Sequence, residues 1–210
     1  MNAVIPDPLP GVHAQTLRTA RLRTRVLSAG EGEPVLFFHG NLSSATWWEE
    51  ELLALPPGYR GVAPDLRGFG GADRAALIDA RRGVGDWVDD ALALVEAVDP
   101  GARFHVVGHS LGAMVAWGLM AGAPERLASV TLVAPGSPMG FGATRDVHGT
   151  PTTPDFAGSG GGLSNPELHR LLAAGEAGLA GPFSPRAALR TLIVRPPFVP
   201  AWEDALVAAM

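Results

Sequence analysis

The chain has 210 residues, a net charge of −5, 47% hydrophobic residues and no cysteine. That is enough for a sizeable core, in one domain with an insertion or in two small ones, and it excludes disulfides, thiolate nucleophiles and cysteine zinc sites. Its sixteen basic residues, all arginine, are scattered rather than clustered, which argues against nucleic acid as a partner.

Met1–Pro8 lacks the basic start and apolar run of a signal peptide. The longest apolar stretch, about Ala113 to Ala123, is too short to span a bilayer. A cytoplasmic location with no membrane partner is therefore expected. The first strands are expected near Leu17–Leu27 and Val35–Phe38, with another near Arg60–Ala63. Arg21, Arg23 and Arg25 alternate along the earliest and read as a solvated face. Pro34-Val35-Leu36-Phe37-Phe38 runs into His39-Gly40-Asn41, and Trp47 to Leu53 has helical spacing. Gly68-Phe69-Gly70-Gly71 is no dinucleotide fingerprint, because Asp73 stands where the last glycine belongs. Asp86–Val98 reads as a helix with Trp87, Ala91, Leu94, Val95 and Val98 on one side and acids on the other.

Arg103–Val107 reads as a buried strand and Leu111–Met120 as a helix apolar nearly all round. Val130-Thr131-Leu132-Val133 is apolar on both faces, as in an interior strand of a parallel sheet. Helices alternating with short apolar strands predict an α/β fold. Composition shifts at Pro135, so residues 1–135 are expected to form the core and 136–210 a separate helical region. In that region Gly158–Gly162 is the most flexible point expected, Ser164-Asn165-Pro166-Glu167 caps one short helix, and Ser184-Pro185 opens another. Thr191–Val194 reads either as a strand or as a continuation of that helix. Pro200–Met210 opens as a helix with no closing signal.

The chemistry lies between the strand at Arg103–Val107 and the helix from Leu111, in Gly108-His109-Ser110-Leu111-Gly112. A serine at a strand-to-helix turn sits on a tight bend that lifts its hydroxyl out of the fold. Gly108 and Gly112 leave room for strand and helix to meet, and the helix N-terminus aims free N–H groups at the serine oxygen. Acyl transfer needs two N–H donors where negative charge develops. The amides of Asn41, just after a strand and a glycine, and of Leu111 are the candidate pair.

With His39-Gly40-Asn41, then Asp65-Leu66-Arg67-Gly68-Phe69-Gly70, then Gly108-His109-Ser110-Leu111-Gly112, the chain resembles the α/β-hydrolases from about Leu17 to Pro135. The resemblance implies a mostly parallel sheet with flanking helices and a C-terminal helical lid over 136–210. It implies Ser110 as nucleophile and the Asn41 and Leu111 amides as oxyanion hole. It argues against epoxide hydrolase or haloalkane dehalogenase chemistry, because those relatives carry Asp where Ser110 stands. Ala72 replaces a serine often found after the second motif, at what is mostly an architectural turn.

In this family the triad acid and histidine follow later strands, and none is assignable here. His39 reads as structural, and His105 and His109, on a strand and its turn, do not form a helical zinc pair. His148 and His169 read as surface residues, and Asp146 beside His148 carries little weight. The final core strands are thus expected to be missing, with a C-terminal segment as a complementing partner. The resemblance implies an esterase-like enzyme using no metal or cofactor on a small ester or acyl substrate, nearly inactive as this chain alone. The alternative is a truncated or degenerate hydrolase fold that acts as a non-catalytic binding module. Phe141, Phe156, Phe183, Phe198 and Trp202 could line a substrate pocket, or form the lid's own small core.

Overall fold

Period-two alternation builds a core on both faces of one sheet. In the computed structural model, which describes residues 5–136, 144–155, 165–179 and 181–210, strand β3 (Gly32–Phe38) turns Leu36 and Phe38 to one face and Val35 and Phe37 to the other. Around it run β1 (His13–Arg18), β2 (Arg23–Gly30), β4 (Gly58–Pro64), β5 (Phe104–His109) and β6 (Leu127–Val133), in the order β1-β2-β4-β3-β5-β6. Pairs β3–β4, β3–β5 and β5–β6 are parallel, whereas β1–β2 and β2–β4 are antiparallel. The early strand expected as one run is therefore two. Thr19 reverses the chain, its hydroxyl accepting the N–H groups of Arg21 and Leu22 at 3.1 and 3.0 Å, a local turn bond that competes with the ladder.

A short 3₁₀ turn (Ala45–Trp48) leads into α1 (Glu49–Ala54), and Trp48 and Leu52 pack with Phe37 on one face. The other face carries α2 (Gly85–Val98) and α3 (Leu111–Gly122), through Ala91, Leu94, Val95, Val115, Ala116 and Leu119. Two polar expectations are corrected. Asp86 and Asp90 of α2 are buried, not on a solvated face. The Arg67 guanidinium meets both Asp90 oxygens at 2.7 Å, and Arg21 and Arg82 pair with Asp86. Arg25 is also buried, among Asp65, Glu49 and Thr46. Alternation alone cannot show that a long cation has a buried acid to meet.

β6 is the last strand of the sheet. Ser129, Thr131 and Val133 are exposed along it, while Val130 and Leu132 pack partly into the core.

The contacts divide the chain into one unit over Ile5–Pro135 and another over Gly136–Ala208. The second is helical among its described residues: α4 (Pro166–Ala173), α5 (Pro185–Ala188) and α6 (Glu203–Ala208). Asn165 and Ser184 cap the first two with their side-chain oxygens, as their sequences predict. Leu189–Ile193 continues α5 as a π-helical turn, so Thr191–Val194 is not a strand. Glu203 accepts from Arg186 and Arg190, whose charges hold its carboxyl at about 2, so α6 is tied to α5 by an ion pair. Phe141, Phe156, Ser164 and the glycine run 158–162 lie outside the described residues.

Candidate active site

β3 and β5 lie side by side and parallel, with Phe38 opposite Gly108, so the segments leaving both strands emerge at one end of the sheet. The turn after β5 is as tight as the motif requires. A Cβ on Gly108 would strike the Gly112 carbonyl, and one on Gly112 would strike the Phe38 carbonyl. Both glycines are therefore fixed by close backbone approach.

Ser110 stands at φ 51°, ψ −108°, immediately before α3. Its N–H donates to the Val133 carbonyl at 3.0 Å, and its own carbonyl takes the N–H groups of Ala113 and Met114. The side chain does not cap the helix and is half-buried. Among the described residues its Oγ has no hydrogen-bond partner. Among the described residues, three other than glycine have positive φ: Leu42, Ser110 and Ala134. Each lies in the segment leaving one of the adjacent strands β3, β5 and β6. Backbone strain concentrated in this way is characteristic of working sites.

Ser110→Gly is expected to raise stability by about 1 kcal/mol in urea unfolding. Relief of about 1–3 kcal/mol of strain outweighs about 0.5–1 kcal/mol of added glycine entropy. A loss of stability would show the serine to be unstrained.

Gly40 is packed against this turn: a Cβ there would lie 2.7 Å from His109 Nδ1 and 3.3 Å from Ser110 Cβ. The loop carrying Gly40 and Asn41 thus sits beside the serine. Neither the Asn41 N–H nor the Leu111 N–H has an acceptor among the described residues. Asn41 Oδ1 turns back to accept the Leu42 N–H at 3.0 Å.

The far side of the same loop is anchored by Asp65, which is fully buried. One of its oxygens accepts the Ala45 N–H at 2.8 Å and the other the Gly71 N–H at 2.7 Å, with Arg25 at 3.6 Å.

The histidines are placed as follows. His39 is buried, its Nε2 accepting the Leu66 N–H at 3.0 Å and its Nδ1–H meeting the Gly40 carbonyl at 2.8 Å. Burial pulls its pKa down to about 4, so it is neutral at pH 7 and both ring nitrogens are engaged. Burial also lowers His109. His105 is bonded on the sheet to Ser129 Oγ at 2.7 Å, with Glu33 at 3.3 Å from its other nitrogen. His13, His148 and His169 are exposed. Among the described residues none is hydrogen-bonded to Ser110, and no cluster of three potential metal ligands occurs. No helix described is long and apolar enough to cross a membrane.

The structure thus brings Asn41, Gly108, Ser110, Leu111 and Gly112 to one end of the sheet. Sequence reasoning passed over Ser43, whose hydroxyl donates to the Gly40 carbonyl at 2.8 Å. It also passed over the depth of the Asp65–Arg25 pair. The only signal for either was a polar residue beside an apolar run.

Comparison with known proteins bears on the fold. The chain is 32% identical over 136 residues to 2-hydroxymuconate semialdehyde hydrolase of Pseudomonas sp. (strain CF600), covering 63% of this chain and 46% of that protein. It is 38% identical over 116 residues to epoxide hydrolase 2 of Siraitia grosvenorii, covering 53% of this chain and 35% of the relative. The solved structure of potato (Solanum tuberosum) epoxide hydrolase I superposes with a TM-score of 0.54 at 30% identity, over 58% of this chain and 39% of that one. The chain therefore spans less than half the length of these relatives. Residues 33–158, which include all of β3 but its first residue, the Asp65 turn and the β5–α3 elbow, match the alpha/beta hydrolase fold family, and the chain belongs to that family.

Proposed function

We propose that this chain carries the nucleophile of a hydrolase that cleaves carboxylic esters or related acyl compounds through an acyl-enzyme. The observation that carries the reading is Ser110 itself: a strained serine at a strand-to-helix turn, its Oγ unbonded among the described residues, as are the nearby N–H groups of Asn41 and Leu111. In this reading Ser110 Oγ adds to the acyl carbon and its proton passes to a base. The two amides stabilise the oxyanion, and collapse expels the alcohol, which takes up a proton. Water then releases the acid and restores the serine.

The base and its acid come from residues other than those described around Ser110, and a complementing C-terminal segment is the partner that would supply them. The epoxide hydrolases in the comparison lend their fold to this reading but not their substrate. A serine ester is an intermediate that water can hydrolyse, and esters and related acyl compounds all pass through it.

The test is covalent. The chain is incubated with a fluorophosphonate in imidazole buffer, which provides a base from solution, and then mapped by mass spectrometry. One phosphonyl group on Ser110, absent from Ser110→Ala, is expected. No adduct, or an adduct on another residue, overturns the reading in favour of a binding module.

A further inference from the structure

A donor held ready for an oxyanion must keep its peptide plane from turning over, and the loop after β3 has a device for this. The Gly40 carbonyl and the Asn41 N–H are the two ends of one planar trans peptide, so they point in opposite directions. The Gly40 carbonyl receives two hydrogen bonds, one from Ser43 Oγ–H at 2.8 Å and one from His39 at 2.8 Å. His39 must carry its proton on Nδ1, because Nε2 accepts the Leu66 N–H at 3.0 Å. Ser43 Oγ also lies 3.3 Å from that nitrogen, which closes a triangle around the carbonyl oxygen. All three groups are buried.

We propose that Ser43 and His39 are positioning residues, which hold the Gly40 carbonyl inward so that the Asn41 N–H stays presented on the serine side before any ligand arrives. This rests on the reading of Ser110 as the nucleophile.

The arrangement has a physical need behind it. A Cβ on Gly40 would displace the ring of His109 and crowd Ser110, so a glycine fits here best. A glycine on one side of the peptide lowers the steric opposition to turning that plane. With the carbonyl released, the plane can turn and offer the oxyanion an oxygen instead of a donor. Beyond it, Leu42 is held by the Asn41 side chain, Ser44 caps the 3₁₀ turn, and Ala45 is bonded to Asp65. The remaining freedom is thus confined to the one plane that Ser43 and His39 hold.

The experiment uses the whole chain with two readouts. The first is the kinetics of fluorophosphonate modification in imidazole buffer for wild type and Ser43→Ala. Loss of one neutral hydrogen bond to the carbonyl is expected to slow the limiting modification rate about 5- to 10-fold, with half-saturation by the probe and the melting temperature little changed. A purely structural serine would lower the melting temperature and leave the limiting rate alone.

The second readout is the amide signal of Asn41, which is simple to isolate because the chain contains three asparagines, Asn2, Asn41 and Asn165. With ¹⁵N-asparagine, wild type should give one Asn41 signal that moves downfield when Ser110 is phosphonylated, and Ser43→Ala should broaden or split it. If Ser43→Ala matches wild type in both rate and signal, the lock is overturned while Ser110 remains the nucleophile. If wild type forms no adduct on Ser110, the reading beneath the lock fails first and the lock with it.

Discussion

Without added base, the 210-residue chain is expected to hydrolyse p-nitrophenyl acetate at about 10⁻⁵ s⁻¹, roughly 10⁶-fold below an ordinary enzyme turnover of about 10 s⁻¹. The cause is the placement of its histidines. His39 spends both ring nitrogens on backbone groups, and a pKa near 4 keeps it from gaining a proton at neutral pH. His105 is bonded to Ser129, and no imidazole is bonded to Ser110 among the described residues. Removal of the histidine from a serine triad costs about that factor, leaving the oxyanion hole and binding to supply the rest. Imidazole in the buffer should raise the rate in proportion to its concentration, measured against Ser110→Ala in the same buffer. Turnover near 1 s⁻¹ without imidazole would show that a base already serves the serine.

The second large effect concerns stability. Asp65→Ala is expected to cost about 3–5 kcal/mol, the range for a buried ion pair that loses one partner. Arg25 would be left buried without its nearer carboxylate, and the amides of Ala45 and Gly71 would each lose their acceptor. A domain of this size has about 5–15 kcal/mol in total, so urea unfolding followed by tryptophan fluorescence should show a clear drop in midpoint. Asp65→Asn keeps an acceptor and should lose less. A cost below about 1 kcal/mol for Asp65→Ala would show that water replaces the carboxylate there.

Much of this was legible in the sequence because it rests on local rules. The β5–α3 elbow, the capped α4 and α5, and the parallel centre of the sheet follow from glycine placement, capping residues and apolar runs. What escaped was non-local. The early hairpin depends on one threonine that bonds its own turn. The burial of Arg25, Asp86 and Asp90 depends on partners far along the chain: Asp65, Arg67 and Arg21. The Gly40 carbonyl bonds were hidden for another reason. Ser43 is three residues away, and nothing in its type shows which of many acceptors a hydroxyl will choose.

The pairing of β3 with β5 also bears on how the protein folds. Val35 lies against His105, seventy positions further along the chain. Closing so long a loop costs entropy before any strand contact compensates it, so this pairing belongs late on the folding route. Neither the Gly40 loop nor the serine turn has a partner until then. A nascent or partly unfolded chain holds both segments and no site, and if Ser110 is the proposed nucleophile its reactivity becomes a gauge of the fraction of molecules whose sheet is complete.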